Sequence, residues 1–76
     1  MASHKVFNWS FNTKVCGDTI IMICIVDEEG EEQWEIYYKR PHYPFMFAFG
    51  LPYVYKTQEV LKIAEENIDS YADMFN

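Results

Sequence analysis

Positive charge is scarce in this chain: six lysines and arginines stand against twelve aspartates and glutamates, a net charge of -6 over 76 residues. A surface with that balance repels phosphate backbones and anionic lipid, so direct binding of duplex nucleic acid through a broad basic face is disfavoured. Cysteine is scarce too. Cys16 and Cys24 are too few for the disulfide framework of a small secreted domain. Both are expected as free thiols of a cytoplasmic chain, Cys24 as a small buried apolar residue. Long hydrophobic runs are missing: the longest, Ile20 to Val26, falls well short of the ~20 residues that cross a bilayer, and no membrane partner is expected. Met1 to Asn8 lacks the charged start and apolar stretch of a signal peptide.

Catalytic signatures are absent as well. The sequence has no glycine-rich phosphate loop, no nucleophile elbow and no pairing of Cys or Ser with His at a recognisable spacing. His4, His42, Cys16 and Cys24 show no zinc-ligand spacing. Five carboxylates crowd into Asp27 to Glu32 without the alternating ligands and distal Glu of a calcium-binding loop. The reading is a non-enzymatic protein with no catalytic residue, no metal and no cofactor.

What the chain does have is apolar and aromatic side chains, 50% and 18% of its residues. That is far from a disordered composition, so one domain over residues 1–76 with a packed core is expected. A chain this short buries only ~60% of its unfolded surface, and its aromatic fraction exceeds what one thin core needs. Some rings are therefore expected in an interface.

Periodicity supplies the fold. Phe7, Trp9 and Phe11 alternate with polar residues, as in a half-buried strand, and Cys16-Gly17-Asp18 is a turn. Thr19 to Val26 is β-branched and apolar at nearly every position, which favours strand over helix. Asp27 to Glu32 is an acidic hairpin loop with Gly30 at the position that most needs positive φ. Gln33 to Arg40 alternates again and is stopped by Pro41 and Pro44. Phe45, Phe47, Phe49 and Leu51 line one face of a fourth strand, with Met46, Ala48 and Gly50 behind. Thr57 is the expected N-cap of a helix to about Phe75, with a core stripe of Val60, Leu61, Ala64, Ile68, Tyr71, Ala72 and Phe75. The expected fold is α+β: a four-stranded antiparallel sheet in β-β-β-β-α order, with one C-terminal helix packed on one face.

One helix covers one face of a sheet, while the second strand is apolar on both. Ile20, Met22, Cys24 and Val26, beside Tyr37, are therefore the expected self-association face of a homodimer, unless Tyr53-Val54-Tyr55 or the N-terminal arm folds over it. The acids form a second candidate. Glu28, Glu29, Glu31 and Glu32 of the loop, with Glu66, Asp69 and Asp73 of the helix, are read as a negative display toward a protein partner, imitating a phosphate backbone in a basic groove. The plain alternative is a solvated loop and helix face that keep a small protein soluble. A third candidate joins Lys39, Arg40 and His42 to Tyr37, Tyr38 and Tyr43, where positive charge meets aromatic planes; it suits a nucleotide-like ligand sequestered by a homodimer. The reading adopted from the sequence is a small acidic binding or inhibitor protein, of the kind found in phage and mobile elements. The ligand binder is the alternative.

Overall fold

The fold is described from a computed structural model over residues 5–75, by backbone alone at residues 5–11 and 28. His4 and the side-chain facing expected of Phe7, Trp9 and Phe11 lie outside the described residues. Four strands, β1 (Lys5–Cys16), β2 (Thr19–Glu28), β3 (Glu31–Lys39) and β4 (Met46–Pro52), precede a helix, α1 (Thr57–Glu66), and a 3-10 helix, Asp69–Phe75. The strands form an antiparallel sheet in the order β1-β2-β3-β4, so the architecture is the expected α+β one.

The first two hairpin turns are tight. Gly17 takes φ +63 in the first. In the second, Glu29 (φ +56) and Gly30 (φ +84) are both left-handed, the two-residue geometry whose twist matches the flanking strands. The acidic segment is thus strand nearly to its tip: Asp27 pairs with Glu32 and Glu28 with Glu31, instead of looping freely in water. The Asp27 carboxylate accepts the Gly30 amide at 2.9 Å and closes the turn.

The core lies between the sheet and the two helices. From β2 it takes Ile21 and Ile23, from β3 Trp34, Ile36 and Tyr38, from α1 Val60 and Ala64, and from the 3-10 helix Phe75. The Tyr38 hydroxyl donates to the Ala64 carbonyl at 2.6 Å, and the Trp34 indole N–H donates to the Tyr55 carbonyl at 2.9 Å. These two bonds hold both ends of the helical layer to the central strand.

Three expectations about the C-terminal half are corrected. Lys56, not Thr57, caps α1, because the Glu59 carboxylate reaches back to accept the Lys56 amide at 2.9 Å. The α-helix then ends at Glu66 rather than near Phe75. Asn67 bonds its side-chain amide to the Ile63 carbonyl at 2.8 Å, and the chain tightens into 3-10 form. That tightening aims Tyr71 flat against Phe49, with ring centroids 5.2 Å apart, and Phe75 against Tyr43 and Arg40. In β4 the expected alternation breaks between Phe47 and Phe49, where the register against β3 shifts. Met46 stands opposite Tyr38 and Phe49 opposite Ile36, on the helix side, while Phe47 stands opposite Tyr37 on the other face. A bulge at Ala48 has turned Phe47 outward.

Candidate functional site

The pleat divides the candidate residues between the two faces. Thr19, Ile21, Ile23 and Ile25 of β2 point to the helix, and Ile20, Met22, Cys24 and Val26 point away. Cys24 and Val26 are fully buried within the single chain, while Ile20, Met22 and Tyr37 are half-buried. The outward apolar stripe therefore does not stand open along its length, and the N-terminal arm expected as one of its covers lies outside the described residues. The Tyr53-Val54-Tyr55 segment does not cover it. Tyr53 packs on Trp34 and the Tyr55 carbonyl accepts the Trp34 indole on the helix side, with Val54 exposed.

Between Cys24 and Gly50 on the outward face lies Glu35, only 1% exposed, which the alternation of β3 places there but does not mark as buried. The Tyr37 hydroxyl donates to its Oε1 at 2.7 Å. Burial first, and then this bond to a carboxylate, pushes the Tyr37 phenol well above its ordinary range.

The tyrosine and basic cluster does not converge. Tyr37 and Lys39 point to the outward face, while Tyr38 is buried under α1 and Arg40 lies on the helix side. There the Arg40 guanidinium donates to the Thr19 hydroxyl at 3.1 Å and sits 5.3 Å from the Phe75 ring centre. His42 is exposed at φ +70 in the β3–β4 connection, and Tyr43 makes an edge contact with Phe75. Neighbours in sequence on a strand point to opposite sides, so the pleat divides Tyr37 and Lys39 from Tyr38.

Glu29, Glu31 and Glu32 are exposed at the β2–β3 turn; the side chain of Glu28 lies outside the described residues. Among the described residues no ion pair involves Asp27, Glu29, Glu31 or Glu32, and like charges stand directly opposite each other at Asp27 and Glu32. Glu66, Asp69 and Asp73 are exposed at the far end of the helical layer, where Glu65 pairs with Lys14 of β1 at 2.8 Å. Lys14 pairs in turn with Ile21, which lies about 26 Å from the turn at ~3.3 Å per strand residue. That exceeds the ~8 Å screening length of physiological salt, so the two acidic groups act as separate displays and not as one field.

Two features were not anticipated from the sequence. Glu65 is engaged twice, accepting Lys14 Nζ and the Cys16 thiol at 3.5 Å; burial and this carboxylate hold the thiol above its ordinary pKa, away from the reactive thiolate. Beside the acidic turn, an open groove of about 560 Å³ runs over Gly50, between Phe47 and the Pro52-Tyr53 corner, with Glu31 and Glu32 at its end. Its signal in the sequence is the missing side chain of Gly50, legible only once the bulge places Phe47 and Gly50 on the same face. No helix among the described residues is long and apolar enough to cross a membrane. Comparison with protein-family models, curated proteins and solved structures finds no match to this chain.

Proposed function

We propose that this chain is a small, non-enzymatic binding protein whose acidic β2–β3 turn occupies a basic surface on a larger protein, such as the groove of one that handles nucleic acid. The observation that carries the reading is the register of that hairpin. It holds Asp27 opposite Glu32 and Glu28 opposite Glu31, at the end of two paired strands. Like charges facing each other across strands destabilise by roughly 0.2–1 kcal/mol per pair. A solubilising loop needs charge, but it does not need charge in register. A basic partner would relieve the repulsion, and complementary potentials would steer the encounter. The C-terminal acids Glu66, Asp69 and Asp73 are secondary in this reading because the sheet's length separates them from the turn. Self-association belongs to the same reading, with the burial of Cys24 and Val26 moving the contact away from β2.

The test is affinity capture from a host lysate at low and high salt with three baits: the native chain, Glu29→Lys/Glu31→Lys/Glu32→Lys, and Glu66→Lys/Asp69→Lys. A partner held by the native chain at low salt, released by high salt, lost with the turn variant and kept with the helix variant supports the reading. Capture that ignores salt, or that survives reversal of the turn, contradicts it.

A further inference from the structure

The exposed apolar surface of this protein is gathered at one edge. Val15, Tyr43, Phe45, Phe47, Tyr53, Val54 and Tyr55 are the exposed large hydrophobic residues among those described, and all but Val15 lie in or beside β4. β4 is also the outer strand of the sheet next to β3, and among the described residues no further strand lies beyond it. Natural edges are guarded by lysine, proline, inward charge or a bulge. Here Phe45 to Leu51 carries no charge, Pro52 sits at the very end of the strand, and the bulge at Ala48 aims Phe47 outward, half of it exposed.

We propose that β4 pairs antiparallel with β4 of a second copy, joining two sheets edge to edge across a two-fold axis. Charge selects a second copy as the occupant. His42 to Tyr55 contains none of the chain's twelve acids and none of its six bases, so this strip is where two molecules of net charge -6 can meet without repulsion. Antiparallel pairing also keeps the acidic turns apart. Lys39 and His42 lie at the Met46 end of β4, because Tyr38 pairs with Met46; Glu31 and Glu32 lie at the Pro52 end, because Gln33 pairs with Pro52. The two acidic turns therefore lie at opposite ends of the joined edge and point away from each other.

The area suffices. Tyr43, Phe45, Phe47, Tyr53 and Tyr55 keep 36–50% of their surface exposed. At ~200 Å² per aromatic residue they offer about 400 Å² per copy. Val54 and the strand backbone bring the two-sided total toward ~1,200 Å², the lower end for a stable interface. The groove over Gly50 opens beside this edge.

Sedimentation across a concentration series tests the pairing. The mass is expected to rise from the 9.1 kDa chain toward twice that value. Phe47→Lys should raise the dimer dissociation constant by about a hundredfold and Phe45→Lys by about tenfold, since a charge is then buried at the new edge. Val15→Lys, on the outward sheet face across from β4, should leave it unchanged. The Phe47 ring also packs on Tyr37, so circular dichroism accompanies each variant; should Phe47→Lys unfold, Phe45→Lys decides, its ring lying outside the strand. A native chain that stays monomeric up to ~200 µM, too weak for a specific interface, overturns the proposal. So does a dimer broken by Val15→Lys and indifferent to Phe45→Lys, which would place the contact on the sheet face.

Discussion

Tyr38 joins the central strand to the helical layer through one atom. Its hydroxyl donates to the Ala64 carbonyl from a fully buried position, so Tyr38→Phe should lower unfolding free energy by ~1 kcal/mol in urea titration, with the fold otherwise kept. No loss would mean that the Ala64 carbonyl is served equally well by the Asn67 amide, 3.3 Å away. The same residue gives a pH dependence. Burial, followed by the charges of Tyr71 and Cys16, pushes the Tyr38 phenol up to about 12, whereas a tyrosine in the unfolded chain ionises near ~10. Neutral Tyr38 thus contributes stability that is whole below pH ~10 and is lost as pH rises toward about 12, and Tyr37 acts in the same direction. Unfolding free energy measured from neutral to alkaline pH should fall across that window, and the fall should shrink in Tyr38→Phe. An alkaline limb identical in the two proteins would contradict the assignment.

At the scale of elements, the acidic hairpin carries the clearest sequence signal and the clearest correction. Gly30 was legible as the residue needing positive φ, and it has it; Glu29 takes positive φ as well, which composition did not disclose. Glu29→Asn should therefore stabilise by a few tenths of a kcal/mol, and Gly30→Ala should destabilise by ~1 kcal/mol, because asparagine and glycine tolerate the left-handed region and alanine does not. Thermal unfolding of the two variants checks both signs. Glu32→Lys, placing opposite charge across from Asp27, should also stabilise, by ~0.2–1 kcal/mol, while weakening capture of a basic partner. A variant that gained stability and kept its partner would separate the repulsion from any function. The four strands and their order of appearance were readable because alternation and β-branching are local signals. The bulge at Ala48 was not, since Phe45 to Leu51 satisfies strict alternation on paper and only pairing with β3 reveals the extra residue. The end of α1 at Glu66 was hidden for a similar reason: the apolar spacing continues through Tyr71 and Phe75, and a local bond from Asn67 breaks the helix without glycine or proline.

Over the whole molecule, charge and apolar surface are sorted into different places. Acids lie at the β2–β3 turn and on the far end of the helical layer, separated by the length of the sheet, while exposed rings line the outer edge at β4. Of the candidate sites read from the sequence, the acids are where a partner could reach them. The β2 stripe is largely enclosed, and the tyrosine and basic cluster is split by the pleat. Burial of that stripe could not be read from residue types, since alternation assigns side chains to a face without showing what lies over it. Association is proposed through the turn and the β4 edge, not through the outward face of β2. Amide hydrogen exchange of the native chain at low and high protein concentration tests this most directly. Protection of β4 amides should grow with concentration, while the amides of β2, already paired on both sides, stay constant. Exchange of β4 at the rate of a free edge at every concentration would contradict it.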